Sequence, residues 1–310
     1  MSDTAESLRR KITGAGDLRS VVRTMKTLAA SSIGQYEKSV RALADYNRAV
    51  ELGLGACIRE STPTSAAAES EEQVKTIDTG GIGAVVFGSD QGLVGQFNDV
   101  VSDFAIKTLS ALPGDHKVWA VGERVYARLD EAGVPLMGQL SVPNSVTGIT
   151  PLVGQIQVES ETHRGLGEYA SFYVFHNRPQ RGTLYAPVSQ RLLPLDELWL
   201  RRLATVRWPT KKVPEVIRGG TATLRTLVRE YLFISLFRAC AESLASENAS
   251  RLAAMGRAEK NIDELLEEFN STFHRLRQSG IDAELFDVTA GFEALMEATA
   301  KQTRDTRLRA

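Results

Sequence analysis

All ten prolines of the chain lie between Pro63 and Pro214. Proline inside a helix costs about 3 kcal/mol, because it removes a backbone donor and its ring clashes with the preceding turn. The two chain ends escape that constraint, and both repeat apolar residues at spacings of three and four. Such spacing places side chains on one face of a helix. The ends are therefore predicted as two very long helices around a middle punctuated by proline and glycine. At the helical rise, Thr221 to Ala300 would extend about 120 Å and Thr4 to Ile58 about 80 Å. A compact chain of this length has a radius of gyration of only about 20 Å, so helices that long must project. A projecting rod suits a mechanical or interaction part better than an enzyme.

The N-terminal arm carries Leu8, Ile12, Leu18, Val22, Met25, Ile33, Tyr36, Val40, Leu43, Val50 and Leu54 on its expected apolar face. Gly14 and Gly16 predict a bend or short break before Leu18. From Ser61 to Glu72 the composition is Ser, Thr, Pro, Ala and Glu, which cannot build a core and reads as a flexible linker. From Val74 the texture changes. Strands are expected at Ala84–Phe87, Lys117–Val121, Val134–Leu140, Ser171–Phe175 and Leu184–Leu193, with helices after Phe97 and over Glu123–Ala132. Strands alternating with helices imply βαβ units and a mostly parallel sheet. The fold class is therefore α/β plus a long antiparallel coiled coil, with a small Rossmann-like middle domain. The boundaries read as residues 1–60 for the N-terminal helix, 74–213 for the α/β domain and 221–300 for the C-terminal helix.

Thr221 is a candidate N-cap for the second arm. Its apolar seam runs from Leu224 through Ile262, Phe269, Phe273 and Leu276 to Ile281, Leu285, Val288, Phe292 and Met296. The N-terminal arm is the only partner helix the chain offers for a seam of this length. The stretch Ala239–Ala258 is rich in Ala and Ser, and the first arm has Ala29-Ala30-Ser31-Ser32-Ile33-Gly34. Two readings stay open there: a close helix–helix neck, or simply good helix formers.

Net charge of −1 with 43% hydrophobic residues gives no electrostatic reason to expect nucleic acid. The opening residues lack the apolar stretch of a signal peptide, and no apolar run approaches the ~20 residues of a membrane span. Cys57 and Cys240 are expected as free, buried thiols of a reducing compartment. His116, His163, His176 and His274 are not spaced with Cys, Asp or Glu as a zinc cluster would be, so surface or satisfied structural roles are expected. No nucleophile elbow is present either, so no catalytic constellation is read.

Four strings, in order along the chain, resemble the γ subunit family of F-type ATP synthases. They are Leu8-Arg9-Arg10-Lys11-Ile12 with Arg23-Thr24-Met25-Lys26-Thr27-Leu28-Ala29-Ala30-Ser31; Ser89-Asp90-Gln91-Gly92-Leu93-Val94-Gly95; Glu242 to Met255; and Arg277 to Leu285. The resemblance implies a non-catalytic central shaft whose terminal helices form an antiparallel coiled coil inside a ring of α and β subunits. It implies contacts to the ε subunit and the membrane c-ring, with no cofactor, nucleic acid or small-molecule substrate. With no transit peptide in the opening residues, a bacterial complex on the cytoplasmic face of the plasma membrane is expected, with the chain held there peripherally. Arg251, Gln278 and Asp282 match positions that catch a β-subunit loop, and Met25, flanked by Arg23 and Lys26, matches a bearing near an acidic β loop. Exposed ion pairs of about 0–1 kcal/mol suit such a sliding contact. On this basis Arg251→Ala or Gln278→Ala is expected to lower ATP synthesis with assembly intact. The chain departs from the family at Gln91, Val94 and Asp282, where Arg, Cys and Thr are common. Nothing in the resemblance covers the basic tail Lys301–Ala310.

The loop Asp90–Gly95 follows a strand and precedes a helix, where phosphate-cradling loops sit. Its glycines do not give the G-x-G-x-x-G spacing and no Walker lysine motif occurs, which favours a structural turn over a nucleotide site. Two other functions remain beside the rotor: a coiled-coil scaffold bridging unrelated partners, and more remotely a dinucleotide enzyme.

Overall fold

The computed structural model describes residues 4–61, 80–212, 214–215 and 220–307. The expected linker after Ser61 and the end of the basic tail lie largely outside them. Helix α1 spans Ala5–Ser61 and helix α6 spans Gly220–Arg307. Between them come β1 (Ile82–Phe87), α2 (Phe97–Ser110), β2 (His116–Val121), α3 (Glu123–Glu131), β3 (Leu136–Leu140), α4 (Val146–Gly165), β4 (Ser171–Gln180), β5 (Thr183–Leu193) and α5 (Glu197–Thr205). By internal contacts the chain forms two compact units, Lys26–Ala254 and Met1–Met25 with Met255–Ala310.

In the larger unit the five strands form one sheet in the order β3-β2-β1-β4-β5. The first four are parallel and β5 runs antiparallel at the edge beside β4. All six residues of β1 are buried, as expected for the central strand of a sheet covered on both faces. On one face, α2 and α3 cover Ala84, Val86, Val118, Ala120 and Phe175. On the other, Val85, Phe87, Trp119 and Val174 pack with α4, with Tyr36 of α1 and with Leu236, Ala241, Leu244 and Ala245 of α6. The small residues of α6 therefore serve its approach to the sheet, whereas a Cβ on Gly34 would meet nothing within 4 Å. A second cluster joins Val50 and Leu54 of α1 to Leu203 of α5 and Ile234 of α6. There Gly55 is required, because a Cβ would stand 2.4 Å from the Leu203 carbonyl oxygen.

Two helices depart from the sequence reading. Helix α4 contains Pro151, Gly148 and Gly154, residues that argue against a helix locally, yet Ile149, Leu152, Val153 and Ile156 bury one face on the sheet. Helix α5 is short, and its start is marked by Asp196, whose Oδ1 accepts from the Leu198 amide at 2.9 Å.

In the smaller unit the helices run antiparallel. Arg19 pairs with Asp263 at 3.2 Å, Arg23 with Glu259 at 2.6 Å, and the Lys11 ammonium lies 5.8 Å from the Phe269 ring centre. As numbers rise on α1 they fall on α6. Helix α1 is unbroken through Gly14 and Gly16, where the sequence suggests a bend. Its inward face also differs from the expected one: Leu18 is exposed, and the seam passes through Ala15 and Arg19. From Leu8 the buried or half-buried positions step by four and three through Ile12, Ala15, Arg19, Val22, Lys26, Ala29, Ile33, Tyr36, Val40, Leu43, Asn47, Val50 and Leu54 to Cys57. That is an uninterrupted heptad pattern.

The C-terminal seam is corrected as well. In the register of Arg19–Asp263 and Arg23–Glu259, Ala5 falls near Leu276. Burial along α6 stops there. Ile281, Leu285, Val288, Phe292, Leu295 and Met296, expected to pair with the first arm, are between 53% and 71% exposed, because α1 begins at Ala5 and does not reach them. Thr221 lies inside α6 instead of capping it.

Candidate functional site

An open α/β sheet binds ligands at the C-terminal strand ends where the order reverses, because the loops there diverge and leave a crevice. Here that point lies between β1 and β4. The loop after β1 is built by polar bonds: the Ser89 amide donates to Asn98 Oδ1 at 2.9 Å, and Ser89 Oγ donates to the Gln91 carbonyl at 2.9 Å. Asp90 accepts from the Glu123 amide at 3.0 Å and the Val142 amide at 2.9 Å, tying together the loops that follow β1, β2 and β3. Leu93 and Gly95 adopt φ of 62° and 58°. These geometries make the loop a tight structural turn.

The crevice is occupied by the chain's own helix α6. Ser250 Oγ donates to the Val94 carbonyl at 2.5 Å on the β1 side. Ser246 Oγ donates to the Asn177 carbonyl at 3.0 Å on the β4 side, and Asn177 Nδ2 donates to the Phe97 carbonyl at 2.9 Å. Glu242, only 6% exposed, accepts from His176 Nε2 at 2.9 Å and Arg178 Nε at 2.7 Å, both on β4, and from Arg238 Nε at 2.7 Å on its own helix. Residues 242, 246 and 250 are one turn apart, so one polar stripe of α6 spans the switch point. Burial alone pushes the Glu242 carboxyl up, but the hydrogen bonds from His176, Arg238 and Arg178 outweigh it and hold it down to about 2. Burial holds the His176 imidazole below its ordinary range against the pull of Glu242, so its Nε2–H donates from the neutral ring.

Beside that stripe runs Ser243, Glu247 and Arg251. Arg251 Nη2 donates to Glu247 Oε1 at 2.7 Å, with side chains 13% and 8% exposed. Glu247 Oε2, Arg251 Nε and Ser243 Oγ are buried without a hydrogen-bond partner among the described residues. Glu247 and Arg251 adjoin a polar cavity of about 330 Å³ bounded also by Tyr36, Gln91 and Asn144. Burial first, and Asp90 in addition, raise the Glu247 carboxyl above its ordinary range despite Arg251. A groove of about 700 Å³ on the outer side of the Gly92–Gly95 loop contains Arg128. That guanidinium is already paired with Asp99 at 3.6 Å and Asp103 at 3.5 Å.

The sequence-predicted positions are distributed over both units. Gln278 and Asp282 are exposed on one face of α6, beyond the last residue of α1 opposite them. Arg251 belongs to the larger unit and is engaged with Glu247. Arg23 is engaged with Glu259 across the smaller unit's helix pair, and Met25 and Lys26 are half-exposed. Sequence reasoning missed Glu242 and its β4 partners. The i, i+4 repeat Glu242–Ser246–Ser250 was the available signal, since three polar residues on one face of an Ala-rich helix need buried partners.

A family model described as ATP synthase matches residues 4–295. The chain is 26% identical over 299 residues to an ATP synthase gamma chain of Glaesserella parasuis, covering 94% of this chain and 99% of that one. It is 24% identical to an ATP synthase gamma chain of Methylobacillus flagellatus at the same coverages. Among solved structures it is similar in fold to a chain of the Euglena gracilis mitochondrial ATP synthase rotor, with TM-score 0.56 and 16% identity over 89% of this chain and 98% of that one. A chain of the OSCP/F1/c-ring assembly of the same enzyme gives TM-score 0.58 and 14% identity over 94% of each. The antiparallel terminal helices, the five-stranded sheet filled by its own helix and a family match running from one arm to the other agree, and the chain belongs to the γ-chain family of the ATP synthases.

Proposed function

We propose that this chain is the central shaft of a rotary, ion-driven F-type ATP synthase. It is a non-catalytic subunit that couples rotation of the membrane ring to changes at the nucleotide sites of the surrounding β subunits. The observation that carries this reading is the use of α6. The crevice that serves dinucleotide enzymes is filled by α6 itself, and the same helix continues past the end of α1 with an exposed apolar face. Residues 1–60 and 221–300 act as the shaft, and 74–213 as the foot. Partners are the α and β subunits, the ε subunit and the c-ring. Among the described residues no helix is long and apolar enough to cross a membrane, which fits a subunit held peripherally through its partners. The bacterial origin of the relatives supports the cytoplasmic face of the plasma membrane as its place. The scaffold reading is set aside, since the family match runs over both arms and the sheet.

Gln278 and Asp282 form the accessible part of the catch for a β-subunit loop, with Arg251 contributing from its cavity. Arg23, Met25 and Lys26 form the bearing. The Arg23–Glu259 pair is solvent-exposed on the arginine side, the kind of contact that exchanges partners at little cost. The test is affinity purification of the tagged chain, with subunit identification and ATP synthesis in inverted membrane vesicles. Recovery of α, β and ε subunits is expected, and Gln278→Ala should lower coupled synthesis at unchanged complex yield. Recovery of unrelated proteins would overturn the rotor reading, and unchanged synthesis would remove Gln278 from the catch.

A further inference from the structure

We infer that Glu242 is the torsional latch of the rotor, a positioning residue that locks the sheet of the foot to helix α6 so that torque passes between them. The inference rests on the rotor reading above. Torque entering through the foot must cross from the sheet and its covering helix α4 to α6, and apart from connecting loops that joint is non-covalent. Most of its area is apolar: Val85, Phe87, Trp119 and Val174 against Leu236, Ala241, Leu244 and Ala245. Apolar burial is strong but non-directional, and an Ala-rich surface resists sliding weakly. Angular stiffness must come from contacts with steep distance and angle dependence, which are hydrogen bonds.

Arg229 of α6 pairs with Glu161 of α4, but both side chains are well exposed, 62% and 43%, and such a pair adds little stiffness; the buried set lies at Glu242. Glu242 accepts three charge-assisted bonds, and two of the donors, His176 and Arg178, stand on β4. Both carboxylate oxygens are used, Oε2 toward β4 and Oε1 toward Arg238. A rotation of α6 against the sheet in either sense must distort the Oε2 bonds, in length or in angle. Ser246 and Ser250 extend the same line by one and two turns. Charge-assisted bonds are about twice as strong as neutral ones, which makes Glu242 the stiffest point of the row.

The test uses the assembled complex. Arg178→Gln and Glu242→Gln are compared with wild type and with Arg178→Lys, which keeps the charge. Arg178 is 41% exposed on its side chain, so its replacement leaves the fold intact even where Glu242→Gln lowers complex yield. Two quantities are read: proton pumping per ATP hydrolysed in vesicles under an opposing gradient, and the angular variance of a bead fixed to the foot while the catalytic ring is halted. Loss of one charge-assisted bond should raise the slipped population about tenfold. The pumping-to-hydrolysis ratio under load should fall and the variance should rise, both restored by Arg178→Lys. A merely structural role would lower thermal stability and leave ratio and variance unchanged in the complexes that assemble. That result would overturn the latch while leaving the rotor reading in place. A wild-type chain that does not turn within the ring would overturn the rotor reading, and the latch with it.

Discussion

Replacing Arg251 with alanine strips from Glu247 Oε1 its one hydrogen-bond partner among the described residues and leaves a carboxylate that is 8% exposed. Removing one member of a buried pair costs about 3–5 kcal/mol when the survivor stays charged. Glu247 need not stay charged, because burial and Asp90 already raise its carboxyl. Taking up a proton limits the penalty to about 1.4 kcal/mol for each pH unit above the ordinary carboxyl value, or about 3–4 kcal/mol at pH 7 and about 1 kcal/mol at pH 5. The sign follows from linkage. A carboxyl raised by folding contributes stability below its unfolded value and loses it as pH rises through the folded value. Arg251→Ala should therefore be costly at pH 7 and mild at pH 5, and Arg251→Met combined with Glu247→Gln should recover most of the loss at pH 7. Urea unfolding of the purified chain, followed by far-ultraviolet circular dichroism at both pH values, measures this directly. Equal penalties at pH 7 and pH 5, or strict additivity in the double variant, would refute the argument. The sequence reading expects Arg251→Ala to leave assembly intact. The buried pair predicts otherwise, and makes Gln278→Ala the cleaner probe of the catch.

Three further outcomes are expected. Gly14→Ala and Gly16→Ala should each stabilise α1 by about 0.5–1 kcal/mol in urea unfolding, since both glycines are helical and a Cβ at either meets nothing within 4 Å. Gly55→Ala should instead destabilise by about 1–3 kcal/mol in the same assay, through collision with the Leu203 carbonyl oxygen. His176 is depressed in the fold, so its contribution is present above its unfolded value near 6.5 and is lost as pH falls below it. His176→Gln should flatten the acid loss of stability between pH 7 and pH 5, whereas the Glu242 contribution persists until pH falls from about 4.5 toward about 2.

Much of the architecture was legible because it is local. Each β-strand among the described residues lies over a segment whose apolar run or alternation marked it, and both terminal helices follow from the absence of proline and a recurrent three–four spacing. The misses share a cause. Helix α4 survives Pro151 because four apolar side chains bury on the sheet, a gain no local rule counts. Gly14 and Gly16 do not break α1, because the packed seam through Ala15 and Arg19 carries the helix across them. The seam beyond Leu276 reads as half of a coiled coil, yet α1 begins at Ala5, opposite Leu276. The site followed the same division. Gln278 and Asp282 were found from a motif and are accessible, while Arg251 was found from a motif and turned out to be buried against Glu247.

The sequence by itself determined that two long helices flank an α/β domain, since proline placement and heptad spacing act within a few residues of each position. It also carried the family, through strings that span both arms and the sheet. Only the tertiary structure decided what fills the switch point of the sheet. His176 and Arg178 lie more than sixty residues before Glu242, and their meeting depends on how α6 crosses β4. A buried charge must find its counter-charges wherever the packing brings them, and no spacing along the chain encodes that encounter.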